Sequence, residues 1–303
     1  MPKRCDIQIR DPFVFTDTVK GRYYLFGTTD RQPWNSTGTG FDVYVGHDLE
    51  NWDGPFVAFR PQEGFWGTHD FWAPEVHAYR GRYYMLASFK SALHRRGTQI
   101  LSSADILGPY EPLVPSASTP AQWECLDGTL CIDSLAQPWL VFCHEWVQVN
   151  DGEIWAQPLS GNLKTAVGEP MLLFKASEAT WTYGLRRRDG SGCMDGRVTD
   201  GPFLYRTGEG SLLLLWSSVG EHGYVMGVAY SESGTLKGPW HQHQQPLIDV
   251  DGGHGMVFRT LEGRAMLAFH RPNKTPFERF IYLPVSESPD NLVLAGSPLE
   301  TLS

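Results

Sequence analysis

Short apolar runs interrupted by polar turns fill this chain, and their spacing is that of strands. The stretch RDPFVFTDTVKGRYYLFGTT from Arg10 sets the pattern: a short strand, a turn, then a second apolar strand. The same unit returns as WAPEVHAYRGRYYMLASF from Trp72 and LDGTLCIDSLAQPWLVFCHE from Leu126. It appears again as TDGPFLYRTGEGSLLLLWSS from Thr199 and GHGMVFRTLEGRAMLAFHR from Gly253. In four copies the turn carries glycine where a hairpin needs positive φ: Gly21, Gly81, Gly208 or Gly210, and Gly263.

A second signature closes several units: DLENWDGPF from Asp48, ADILGPYEP from Ala104 and SGTLKGPWH from Ser233. Each follows a predicted third strand (FDVYVGH, TQILSSA, YVMGVAYS) and leaves room for a fourth, with none for long helices. Five units of four antiparallel strands predict an all-β, five-bladed β-propeller around a central channel, one catalytic domain over residues 1–303. A β-sandwich would not repeat with a period near sixty residues. The segment KRCDIQI, from Lys3, is expected to close the ring by pairing with the last blade.

Composition narrows the function. Aromatics are 13% of the 303 residues, with 11 Trp and 12 Tyr, and rings with apolar faces and polar edges match carbohydrate. A net charge of -9 argues against nucleic acid. No basic amphipathic helix or long apolar run points to a membrane. The start, MPKRCDIQIRD, has no apolar stretch, and five cysteines lack any CxxC spacing. Reduced thiols and a cytoplasmic location are expected; a trimmed secreted chain would read the same.

Aligning the copies places Asp11, Ala73, Asp127, Asp200 and His254 at one repeat position. First residues of inner strands face one mouth of a propeller's channel, so three carboxylates and a histidine converge there. Each Asp taken alone is also an ordinary turn residue (Asp-Pro, Asp-Gly); their shared register points to a site. Buried carboxylates are costly unless paired or used.

The motifs RDPFVF, FWAPEVH, CLDGTLCID, TDGPFLYR and GGHGMVF open the successive units, and in that order they resemble glycoside hydrolase family 43, the five-bladed arabinofuranosidases, xylosidases and arabinanases. The resemblance covers essentially the whole chain. It implies an inverting glycosidase with Asp11 as general base, Asp127 as the carboxylate that orients the acid and raises its pKa, and Asp200 as general acid. Asp200 stands where the family usually has Glu; one methylene less shortens its reach by roughly 1.5 Å. Either the blade-four backbone sits closer to the sugar, another acid donates, or activity is lost. Glu145, ending WLVFCHE between His144 and Trp146, is the alternative acid, and a polar strand end paired with an Arg is its plainer reading.

The resemblance also implies substrate-binding roles for Trp72 and Glu75 in FWAPE, for Arg271 in AFHR and for His254. Core packing for Trp72 and a salt bridge for Arg271 are the plainer alternatives. No cofactor is required; a structural Ca²⁺ in the channel near His254 is the one metal implied, against ordinary hydrogen bonding of that imidazole. The insertions DRQPWNSTGTG from Asp30 and SEATWTYGLRRRDGSGCMDGR from Ser177 are expected to wall the pocket. The first functional expectation is exo-acting release of terminal α-L-arabinofuranose from plant polysaccharide or oligosaccharide. A β-xylosidase or an endo-acting arabinanase or xylanase of the same fold is the alternative, and a catalytically silent carbohydrate-binding propeller the contrasting class. Oligomeric state is not legible.

Overall fold

The computed structural model describes residues 1–34, 36–185 and 195–297. Among the described residues twenty strands form five separate four-stranded sheets, each made of consecutive strands in antiparallel order. Blade 1 contains β1 (Arg10–Asp17), β2 (Arg22–Thr28), β3 (Phe41–Gly46) and β4 (Trp52–Phe59). Blade 2 contains β5 (His69–Tyr79), β6 (Arg82–Lys90), β7 (Gly97–Ser103) and β8 (Glu111–Pro112). Blade 3 follows with β9 (Cys125–Ile132), β10 (Pro138–His144), β11 (Glu153–Pro158) and β12 (Met171–Lys175). Blade 4 is β13 (Asp200–Arg206), β14 (Leu212–Gly220), β15 (Gly223–Ser231) and β16 (Trp240–Gln242). Blade 5 is β17 (Gly253–Arg259), β18 (Ala265–Arg271), β19 (Arg279–Glu287) and β20 (Leu292–Leu294). The inner strands β1, β5, β9, β13 and β17 touch in that cyclic order, so the protein is a five-bladed propeller.

The hairpin glycines behave as the pattern requires: Gly21, Gly81, Gly210 and Gly263 all have positive φ, and in blade 4 the turn therefore uses Gly210 rather than Gly208. Alternation buries both faces of each sheet against the adjoining blades. The largest apolar cluster lies between blades 1, 2 and 5, where Phe41, Phe59, Phe71 and Phe89 interlock. Each buried Phe contributes about 1.5–3 kcal/mol from area removed from water. A second cluster, with Phe174, Trp181, Trp216 and Trp240, joins blades 3 and 4.

Ring closure differs in form from the expectation. The N-terminal segment adds no full strand to blade 5; it bridges two blades by single pairings. Gln8 pairs with Arg279 on blade 5, and Lys3 pairs with Asn51 beside blade 1. The Ile9 N–H donates to the Glu278 carbonyl at 3.2 Å, and Arg279 Nε donates to the Cys5 carbonyl at 2.7 Å. Ile9 is completely buried under this seam. Among the described residues Cys5, Cys125, Cys131 and Cys143 are free thiols, and no helix is long and apolar enough to cross a membrane.

Ile9→Ala should cost about 2–5 kcal/mol, because the void opens in the core that packs the N-terminal segment between blades 5 and 1. A urea midpoint unchanged from wild type would show that the segment does not close the ring.

Candidate active site

Every inner strand opens with a bulge. Cross-strand register breaks there in all five blades, and an equivalent residue in each takes left-handed φ: Asp11 (51°), Ala73 (49°), Asp127 (55°), Gly201 (52°) and His254 (48°); blade 2 adds Asp70 (56°). A non-glycine residue in that region costs on the order of 1–3 kcal/mol and persists only when its surroundings hold it. The holding contact is the residue's own N–H, bonded to the preceding blade. Ala73 N–H donates to Thr28 Oγ1, Asp127 N–H to Ser88 Oγ, and His254 N–H to Ser217 Oγ, each at 2.8 Å. Asp11 N–H donates to His270 Nδ1 at 3.2 Å across the seam.

This register corrects the sequence alignment at blade 4. The residue equivalent to Asp11, Asp127 and His254 is Gly201, and Asp200 lies one position earlier. Its cross-strand partner is Ser217, just as Arg10 pairs with Thr28, Trp72 with Ser88, Leu126 with Cys143 and Gly253 with His270. The reason is steric: a Cβ at Gly201 would lie 2.7 Å from the His254 ring, so the carboxylate cannot occupy the bulge. Gly201 N–H also differs in its partner. It donates directly to Asp127 Oδ2 at 3.0 Å, where blade 3 offers Cys143 in place of a hydroxyl.

Asp11, Asp127, Asp200, His254, Glu145 and Trp72 line one pocket of about 280 Å³. Further along the inner strands Phe13 meets Phe203, ring centroids 6.4 Å apart. Asp11 Oδ2 accepts the Thr28 hydroxyl at 2.7 Å, and its Oδ1 faces His254 Nδ1 at 3.2 Å. Burial works against its charge, yet His254, Arg10 and the Thr28 hydroxyl outweigh burial and hold Asp11 below the usual carboxylate range. His270 is neutral: burial first, then the Arg10 charge, push it down to about 3, which leaves Nδ1 free to accept the Asp11 N–H.

Asp127 and Asp200 move the other way. Burial and the Asp11 charge raise Asp127 to about 8, while burial and the Asp127 charge raise Asp200 to about 7. Two such neighbours titrate as a pair that retains a proton near neutrality. The two members differ in the donors that reach them. Asp127 Oδ2 takes the Gly201 N–H and faces His254 Nδ1 at 3.6 Å, while Asp200 receives, among the described residues, the Tyr224 hydroxyl at 3.1 Å. Glu145 is raised by burial despite its Arg96 partner, and the Arg96 guanidinium occupies its carboxylate. Arg96 also reaches Asp70 at 2.8 Å and lies 4.2 Å over the Trp72 ring.

Two predicted binding residues sit elsewhere. Glu75 is turned below the pocket, paired with His77 at 3.0 Å. Arg271 is one residue out of phase: its Nε donates to the Val250 carbonyl at 2.8 Å, and the adjacent His270 is the side chain that faces inward. His254 turns its Nδ1 onto two carboxylates, 3.2 Å from Asp11 and 3.6 Å from Asp127. Among the described residues no group of three His, Cys, Asp or Glu side chains could hold an ion. Of the two insertions, Trp34 and Leu185 line the pocket; Asn35 and residues 186–194, including the Arg186–Asp189 cluster, lie outside the described residues. Sequence reading missed Arg10, Thr28, Arg96, Tyr224 and His270. Thr28 and His270 were accessible by counting hairpin register back from Gly21 and Gly263; Arg96 and Tyr224 carry no local signal.

A profile of glycosyl hydrolases family 43 matches residues 6–284. An endo-arabinase from Bacteroides thetaiotaomicron VPI-5482 has a solved structure similar to this one at 42% identity, covering 95% of this chain and 98% of that one, TM-score 0.87. A thermostable family-43 glycoside hydrolase matches at 22% identity, covering 98% and 94%, TM-score 0.79. An endo-1,4-beta-xylanase from Bacteroides thetaiotaomicron VPI-5482 matches at 23%, covering 97% and 96%, TM-score 0.76; these last two share the fold. No match was found among curated proteins.

The raised Asp200 pKa makes folded protein bind more protons than unfolded protein between about pH 4 and 7, so this residue's contribution falls as pH rises through that window. Asp200→Asn, which carries no titrating proton, should therefore gain melting temperature over wild type more at pH 8 than at pH 4. A gap independent of pH would contradict the raised pKa.

Proposed function

The chain belongs to glycosyl hydrolases family 43, and on that premise we propose that it hydrolyses α-L-arabinofuranosyl linkages with inversion of configuration. Asp200 is the general acid, Asp11 the general base and Asp127 the carboxylate that orients Asp200. The observation that carries this reading is the separation of pKa values within one pocket. Asp11 is held ionised while the Asp127–Asp200 pair retains a proton near neutral pH, and we assign that proton to Asp200, the member without a backbone N–H on its carboxylate.

In this scheme the Asp200 proton passes to the glycosidic oxygen as the bond to the anomeric carbon breaks. Asp11 takes a proton from a water attacking the opposite face, so configuration inverts; such carboxyl pairs are typically about 6.5–9.5 Å apart. Asp127, whose Oδ2 takes the Gly201 N–H, stabilises the protonated form of its neighbour whenever it is the ionised member of the pair. The same bond supports a reason why the shorter Asp serves here. Gly201 is tied to the inner strand of blade 3 and not to a hydroxyl on its second strand, which draws β13 toward the channel and offsets the missing methylene.

The substrate class rests on the 42% identity to an endo-arabinase. Exo action is supported by the pocket, whose volume of about 280 Å³ is at the small end of ligand sites, suited to one ring with its neighbour at the rim. Endo action is the second reading, favoured by that same relative.

Asp11→Asn should lower turnover by about 10²–10⁴-fold on natural linkages and on nitrophenyl arabinofuranoside alike. Asp200→Asn should lose much less on the nitrophenyl substrate, whose leaving group needs no protonation. If Glu145→Gln shows that contrast and Asp200→Ala keeps near-normal rates, Glu145 is the acid.

The pH profile of kcat/KM should fall on the alkaline side near 7 as Asp200 loses its proton, and on the acid side below the usual carboxylate range as Asp11 gains one. A profile flat from pH 6 to 9 would contradict the assignment. With linear arabinan, arabinose as the first product and little loss of viscosity is expected; early oligosaccharides with a rapid viscosity drop would establish endo action. A nitrophenyl xyloside in the same panel tests the xylosidase alternative.

A further inference from the structure

Arg10, which also supports the charge of Asp11, forms a closed circuit at the pocket rim with Glu278, Thr275 and Trp34, three residues the catalytic scheme does not use. Arg10 donates from Nη1 to Glu278 Oε1 at 2.8 Å. The Thr275 hydroxyl donates to the same oxygen at 2.5 Å. Thr275 Oγ1 in turn accepts the indole Nε1–H of Trp34 at 3.0 Å, and the Arg10 guanidinium lies 4.8 Å from the Trp34 ring centroid. The circuit joins the insertion of blade 1, the head of β1 and the loop that precedes β19.

Its directions are mutually consistent. An ionised Glu278 is an acceptor only, so the Thr275 proton must point at it. That turns the hydroxyl lone pairs outward to the indole N–H. The one rotatable hydroxyl in the circuit is therefore fixed by the buried charge, and through it the plane of Trp34.

Stability alone is a poor account of the arrangement. Glu278 is fully buried; Oε1 serves two donors, and Oε2 has no protein donor among the described residues. Desolvating such a pair often costs as much as its attraction returns. What it produces is a rigid aromatic side chain in an exposed place. Trp34 is 46% exposed, lines the pocket, and meets Trp72 edge-on at 5.1 Å and 63°. Trp72 has its own guanidinium, Arg96, over its ring. One wall is thus two indoles backed by two arginines, running from beside the carboxylates to the rim.

We infer that Trp34 is a stacking platform for the sugar unit next to the one being cleaved, and that Thr275 and Glu278 are positioning residues that set the preference for longer chains by fixing its indole. This rests on the functional reading above, which supplies a sugar chain as substrate. Sugar rings present a face of polarised C–H bonds that packs on an indole, and a platform that is already ordered binds without the entropy of ordering a loop.

The test compares kcat/KM on a linear arabino-oligosaccharide of three or more units with that on nitrophenyl arabinofuranoside, whose aryl group does not fill the outer position as a sugar does. Trp34→Ala should lower the oligosaccharide-to-aryl ratio by about tenfold, the equivalent of one lost stacking contact. Thr275→Val should lower it by a smaller factor through the oligosaccharide KM, since it removes the anchor and keeps the ring. Glu278→Gln should match Thr275→Val; if it fails to fold, Thr275→Val decides. Variants that lose melting temperature and depress both substrates in proportion indicate a structural role and overturn the proposal. So does an unchanged ratio in Trp34→Ala. If wild-type protein turns over neither substrate, the functional reading fails. Calorimetry with the oligosaccharide then judges the platform separately: weaker binding by Trp34→Ala than by wild type supports it, and equal binding ends it.

Discussion

The structure depends on a backbone hydrogen bond made between blades. At the head of each inner strand an equivalent residue leaves the sheet with left-handed φ, and its N–H is caught by the preceding blade or, at blade 1, by His270 across the seam. The bulge is strained by itself, so it exists only because the adjoining blade is in place. Blade packing and site geometry are therefore one constraint. The contact that joins two sheets is also the contact that turns Asp11, Asp127 and His254 into the mouth of the channel.

Crowding carboxylates at such a point is electrostatically unfavourable, and the pocket resolves it by giving them unequal surroundings. Asp11 has a cation on the same strand in Arg10, a hydroxyl from Thr28 and an imidazole from His254. Asp200 has a phenol and a carboxylate for neighbours. The gradient of charge across the pocket follows from the unequal identity of five equivalent positions, since repetition alone would have made them alike. Blade 4 departs furthest: with glycine in the bulge and the acid one residue earlier, it clears room for His254 and accepts a direct tie to Asp127.

The seam between blades 5 and 1 is where the last blade packs against the first. Isolated bridges from the N-terminal segment, the buried Ile9 and the Arg10–Glu278 pair hold it. Arg10 thereby belongs to three things at once: ring closure, the charge of the adjacent Asp11 and the aromatic wall through Trp34. Few positions in the chain connect stability to the site so directly.

What the sequence determined by itself was what repeats. Strand pairs, hairpin glycines and the recurring motif heads are local and periodic, so the five blades and the convergence of Asp11, Asp127, Asp200 and His254 were readable from spacing. What only the tertiary structure decided was phase and partnership. Whether Asp200 or Gly201 occupies the bulge, and whether His270 or Arg271 faces inward, turns on a one-residue shift that reverses a side chain's direction, and a β-bulge makes that shift invisible to period-two counting. Glu75 finding His77, Arg96 joining Glu145 to Asp70, and Tyr224 reaching Asp200 are contacts between residues whose sequence neighbours say nothing of them. They arise because a closed ring brings distant segments within a few ångströms, and charge and hydrogen bonding then select among what closure has put within reach.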